Sequence, residues 1–92
     1  MPGQASNQDV DILLSAEGTP AEVFAKVRRA APAGPLRLQR IEARGPGRWE
    51  CRFVPQRTDL VVSYQSILHL QAGLSAELDL LRVSRASALE AA

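Results

Sequence analysis

Large rings are scarce in this chain of 92 residues: Phe24, Trp49, Phe53 and Tyr64 are its only aromatic side chains. The core must then be built from Leu, Val, Ile and Ala, with those rings as the few bulky pieces. Cysteine is rarer still. Cys51 stands alone, so no internal disulfide can form, and one Cys with one His (His69) falls short of an ordinary metal-ligand set. Lysine is almost absent, since Lys26 is the single one and arginine carries the rest of the positive charge. The net charge is only +1. That balance argues against a dedicated polyanion binder and against an acidic tail. No apolar run approaches the roughly 18–20 residues of a membrane span, and Met1-Pro2-Gly3-Gln4 lacks the basic and apolar segments of a signal peptide. As given, the chain reads as soluble, with no membrane contact of its own. Its length suits one domain, which at this size buries only about 60–65% of its unfolded surface and gains from a partner.

What is present falls into alternating and helical stretches. Residues 1–8 are small and polar and read as a disordered lead-in. From Asp9 the pattern alternates, with Val10, Ile12 and Leu14 on one face, which predicts a half-buried strand over 9–16. Gly18 breaks it. Thr19-Pro20-Ala21-Glu22 then carries an N-cap, a proline suited to the first helical position and the glutamate of a capping box. The helix that follows is expected to bury Val23, Phe24, Val27 and Ala31, with Lys26, Arg28 and Arg29 in water near its C-terminus. Pro32 ends it.

The stretch Leu36 to Val54 reads as a hairpin across Gly45-Pro46-Gly47. Its first arm changes parity between Leu38 and Ile41, which predicts a bulge near Gln39-Arg40 or a place at a sheet edge. Its second arm alternates cleanly, Trp49, Cys51 and Phe53 against Arg48, Glu50 and Arg52, and reads as central. After Pro55, Thr58 is a candidate N-cap with Asp59 in the first turn. The helix expected from Leu60 has Leu60, Val61, Tyr64, Ile67, Leu68 and Leu74 as its buried face, leaving Val62, His69 and Leu70 beside it. Gly73 reads as a stop or a weak point near its end. A last strand is predicted over 77–85, with a phase break between Leu80 and Leu81, and 87–92 as a flexible tail.

Strand, helix, strand, strand, helix, strand over 9–86 folds most compactly as an α+β unit. That unit is a four-stranded antiparallel sheet with both helices on one face, the ferredoxin-like βαββαβ arrangement. The first and third strands are then central and the second and fourth are edges. The clean alternations fall on the predicted central strands and the broken ones on the predicted edges.

No chemistry-bearing constellation emerges. Cys51 alternates with two aromatic rings and reads as a small core hydrophobe, and His69 as a solvated helix residue. Asp9, Asp11 and Glu50 share the open sheet face with Arg52, where salt bridges are the natural reading. The arginines of the hairpin, Arg37, Arg40, Arg44, Arg48, Arg52 and Arg57, outnumber its carboxylates. Yet the open face of the central strands offers no ring on which a base could stack, so nucleic-acid binding is not expected. Gly45-Pro46-Gly47 opens no helix and so makes no phosphate cradle. Catalytic residues, metal and cofactor are all expected to be absent.

The run Val10-Asp11-Ile12-Leu13-Leu14-Ser15-Ala16-Glu17-Gly18-Thr19, the helix through Val23-Phe24-Ala25-Lys26-Val27, the strand Leu36-Arg37-Leu38-Gln39-Arg40-Ile41-Glu42 and the second arm Gly47-Arg48-Trp49-Glu50-Cys51-Arg52-Phe53 together resemble a known family. It comprises the soluble ferredoxin-like domains of bacterial type IV pilus and type II secretion inner-membrane proteins, of the PilN/PilO and GspL/GspM kind. The resemblance covers about 9–86 and consists of apolar spacing and one Gly. In that family a transmembrane helix and a coiled coil precede the domain. Neither is read in this chain, which implies an excised soluble portion or a likeness of fold alone. The resemblance implies a domain that does no chemistry and that dimerises or pairs with a related domain. An excised assembly-platform domain would sit at the periplasmic face of the inner membrane; otherwise the chain would be cytoplasmic.

The expectation is therefore a non-enzymatic protein-interaction module pairing, with itself or a related domain, through a sheet edge or a helix face. The residues expected to make contact are Arg37, Gln39 and Arg40 on one edge, Leu81 and Val83 on the other, and Val62 and Leu70 on the second helix. The alternative is a small-molecule regulatory domain of the ACT kind, which shares this element order and would hold its ligand at the Gly18 loop and a strand–strand dimer seam.

Overall fold

The computed structural model describes residues 9–57 and 61–85. The lead-in 1–8, the tail 87–92 and the anticipated cap at Thr58 and Asp59, with Leu60, lie outside them. The element order is β1 (Val10–Ser15), α1 (Pro20–Ala30), β2 (Leu36–Ala43), β3 (Arg48–Pro55), α2 (Tyr64–Ser75) and β4 (Asp79–Arg85). The four strands form one antiparallel sheet in the order β2-β3-β1-β4. This is the ferredoxin-like α+β fold, with β1 and β3 central and β2 and β4 at the edges.

The broken alternations have a structural cause at both edges. Register slips between Leu38 and Arg40 where β2 meets β3, so Gln39 is the extra residue of a bulge. On β4 the pairing to β1 passes from Arg82 to Leu80, leaving Leu81 as the extra residue. The central pair runs without a break from Val10 opposite Phe53 to Ser15 opposite Arg48.

One face of the central pair presents Val10, Ile12, Leu14, Cys51 and Phe53, all fully buried. Val23, Val27 and Ala30 of α1 and Ile67, Leu70 and Leu74 of α2 join them in a single cluster. Burial at this density supplies most of the fold's stabilisation, at about 25 cal/mol per Å² of apolar surface. Trp49 closes the cluster at the hairpin end, where its indole N–H donates to the Ala16 carbonyl at 3.0 Å. The Ala16 N–H in turn donates to Gly47 O at 3.0 Å, so the turn is tied to the end of β1.

α1 starts as its residues dictate. Glu22 N–H donates to Thr19 Oγ1 at 3.2 Å, and Thr19 N–H donates to Glu22 Oε1 at 2.8 Å. Gly18 makes this possible twice over: its φ is +129°, and a Cβ there would lie 2.9 Å from Glu22 Oε1. Two expectations for its buried face need correcting. Phe24 is 36% exposed, and the buried alanine is Ala30 rather than Ala31, which is the C-cap.

α2 departs further from the sequence reading. Ser63 is its N-cap, accepting from Ser66 N–H at 3.2 Å, so the helix begins at Tyr64 and not at Leu60. Tyr64 is 70% exposed and Leu68 37%, while Val62 and Leu70 are each only 3% exposed. The stripe that meets the sheet is Ile67, Leu70 and Leu74. Val62 and Leu70, expected to face a partner, are core residues instead. The reason is the later start: Val61 and Val62 lie ahead of the helix, Val62 buried and Val61 exposed, and the buried stripe of α2 then runs through Leu70. Gly73 is not a stop, since α2 runs on to Ser75. It lies within α2 against the loop after α1, where a Cβ would fall 2.6 Å from Pro32 Cδ.

Candidate functional site

Cys51 sits at the centre of the sheet on its helix-covered side. Burial, reinforced by the Glu50 charge, pushes its thiol up to about 12, so it holds its proton at neutral pH and offers no thiolate. His69 is exposed on α2. Placed in the sheet core and on a solvated helix face, the two do not form a nucleophile and base pair.

The other face of β1 and β3 is a lattice of charge. Arg52 grips Asp11 across the central strands with two parallel bonds of 2.7 and 2.8 Å. Arg44, just past β2, donates to Glu50 at 2.7 Å and to Glu42 at 2.9 Å. Arg82 on β4 stands 3.8 Å from Glu50, so ion pairs reach from one edge of the sheet towards the other. A hollow of about 120 Å³ lies among Asp11, Arg40, Glu42, Arg44, Glu50 and Arg52. Each of its carboxylates is already bonded to an arginine, which leaves none poised as a general base there. Asp9, at the margin of this face, has its carboxyl raised by burial, with Arg52 opposing the rise. Among the described residues no group of three or more His, Cys, Asp or Glu could hold a metal ion.

The remaining features lie along the rims. Each helix leaves a groove beside the edge strand it covers. One groove, of about 330 Å³, runs between α1 and β2 past Phe24, Arg28, Pro32, Leu36, Arg37 and Leu38. The other, of about 340 Å³, lies between α2 and β4 and is bounded by Val10, Tyr64, Ile67, Gln71, Val83 and Arg85. Of the residues anticipated for contact, Arg37, Gln39 and Arg40 are exposed along the β2 edge, and Leu81 is 46% exposed on β4. Val83 is half-buried against the core. The sequence reading missed the groove beside α1, because Phe24 was expected inside. The signal was there: Val23, Val27 and Ala30 already complete a helical stripe without it.

The backbone defines the β2 edge further. Gln56 N–H donates to Pro35 O at 2.7 Å, and Arg44 N–H donates to Arg48 O at 2.8 Å. Antiparallel pairing alternates between bonded and non-bonded residues, so with the register on either side of the bulge these two bonds set the pattern. Leu36, Leu38, Ile41 and Ala43 turn their N–H and C=O groups away from β3.

No family model matches the sequence, and comparison with curated proteins returns no match. Among solved structures the chain is similar to the TT0538 protein from Thermus thermophilus, with a TM-score of 0.73 and 19% sequence identity. The match covers 84% of this chain and 18% of that one, so the chain spans less than a fifth of the length of that protein. At this identity the likeness is one of fold. No helix among the described residues is long and apolar enough to cross a membrane.

Proposed function

We propose that the chain is a non-enzymatic protein-interaction module, of the kind that assembles bacterial pilus or secretion machinery, and that it pairs through a sheet edge. The observation that carries this reading is the β2 edge, a full strand with outward backbone groups and a half-apolar groove alongside it. Exposed edges are templates for strand addition unless they are covered or blunted, and here the Gln39 bulge and the arginines restrict which strands fit. A non-enzymatic role is supported by the protonated, buried Cys51 thiol and by carboxylates already engaged on the open face. If the chain serves an inner-membrane assembly platform, it works on the periplasmic side; a freestanding chain would work in the cytoplasm.

Light scattering over a wide concentration range, alone and mixed with a related ferredoxin-like domain, tests the proposal. The expected result is a dimer or heterodimer in which amides of one edge strand become protected from hydrogen exchange. A strict monomer in every mixture, with both edges exchanging freely, refutes it.

A further inference from the structure

Resting on that reading, we infer that the β2 edge takes an extended segment in which apolar and acidic residues alternate, supplied by another protein rather than by a second copy of this chain. Three observations converge on this occupant. The first is the outward backbone of Leu36, Leu38, Ile41 and Ala43, which offers a ladder to one more strand. The second is the groove on the helix side of that ladder, with Phe24, Leu36 and Leu38 as its apolar surface. The third is charge. Arg28 borders the groove, Arg37 and Arg40 stand exposed on the strand, and none of the three makes an ion pair or side-chain hydrogen bond among the described residues.

Strand geometry turns these into a sequence requirement. Successive side chains of an added strand point to opposite sides of the sheet. Those on the helix side lie over the groove, where Phe24, Leu36 and Leu38 favour apolar residues. Those on the other side meet Arg37 and Arg40, and carboxylates there form charge-assisted bonds that neither arginine has at present. The open arginines of this edge contrast with Arg44 and Arg52, whose partners are within 2.9 Å.

Charge also disfavours self-pairing here. A second copy would bring its own Arg37 and Arg40 to the seam, and the Glu42 of each copy is already bonded to its own Arg44 at 2.9 Å. Like charges facing one another across strands destabilise the pairing.

The test uses a short fluorescent peptide alternating valine and glutamate, with valine–lysine and valine–serine peptides as comparisons. Fluorescence anisotropy reads binding to the full chain, and amide chemical shifts read its location. The valine–glutamate peptide should saturate, move amides of residues 36–43, and weaken as salt rises. The double variant R37E/R40E alters only exposed side chains; it should bind that peptide about tenfold or more weakly and take up the valine–lysine peptide instead. Equal binding of all three peptides, undiminished binding to R37E/R40E, shifts confined to β4, or no saturation sinks the inference. Should the chain instead associate with itself, equally well in R37E/R40E, the module reading stands and the acidic strand falls.

Discussion

β1 and β3, of 6 and 8 residues, send alternate side chains to two sides of the sheet, and the two sides do different physical work. Towards the helices they show Val10, Ile12, Leu14, Cys51 and Phe53, each with 0% exposure. Away from them they show Asp11, Glu50 and Arg52, half-buried and joined by ion pairs. The first side excludes water and is non-directional, so it tolerates no missing volume. The second is directional and wet, and its interactions are individually worth little. Apolar packing holds one side together, and ion pairs engage Asp11, Glu50 and Arg52 on the other. Outward backbone groups and Arg37 and Arg40, unengaged among the described residues, lie at the β2 rim, which is why we propose pairing there.

Neighbouring residues on β3 offer the sharpest way to break this contrast. Phe53→Ala removes a ring from the fully buried side and should cost about 3–5 kcal/mol in urea denaturation, enough to unfold a marginal domain. Arg52→Ala, one position away, should cost only about 1 kcal/mol and leave the m-value unchanged. Equal costs for the two would mean that the open side carries stability after all.

The second test concerns the layer that covers the apolar side. Gly73→Ala adds the better helix former within α2, a change worth about 1 kcal/mol in favour on an exposed helix. Here the new Cβ would stand 2.6 Å from Pro32 Cδ and 3.2 Å from the Ala30 carbonyl. A proline ring and a backbone oxygen yield poorly, so overpacking should win and destabilise by about 1–3 kcal/mol. A raised Tm would show that the loop after α1 gives way and that the helix layer is looser than its contacts imply.

The same contrast explains what could be read from the sequence. On β3 the alternation of Trp49, Cys51 and Phe53 with charged residues names both sides at once, and the parity breaks at Gln39 and Leu81 name the edges. The capping box of α1 is local chemistry and needs no tertiary knowledge. α2 was harder because its apolar residues are not confined to one stripe: Val61, Tyr64 and Leu68 compete with Val62, Ile67 and Leu70. Packing chooses between such sets, and the later cap at Ser63 settled the phase. The parity break of β2 was legible as a bulge or an edge, whereas the groove beside it depended on Phe24 turning outward. The stripe of Val23, Val27 and Ala30 permits that without requiring it.

Asp11→Asn probes the open side alone. It keeps the shape and removes the charge from a two-bond grip, so a loss of about 0.5–1 kcal/mol is expected, shrinking as salt is added. Hydrogen exchange should rise first at the β1–β3 amides if the pair holds the strands together. A loss that salt leaves unchanged would mean that packing, not charge, is what the substitution disturbs.

The smallest effect belongs to the capping box, at the rim where sheet passes into α1. Backbone and side-chain bonds from Thr19 hold the Glu22 carboxyl below its ordinary 4.5. A carboxyl lowered in the folded chain binds protons less readily there than when unfolded. Its contribution is therefore present above the unfolded value and is lost as pH falls through the lowered folded value. Glu22→Gln cannot titrate, so the Tm of the variant should fall below that of the parent at neutral pH and meet it in acid. The two curves should converge only below about pH 4.5, because above it the folded and unfolded carboxyls are both charged. A gap in Tm that stays constant down to acid pH would show that the glutamate contributes shape rather than charge, and that the bond from Thr19 N–H is as well made by an amide.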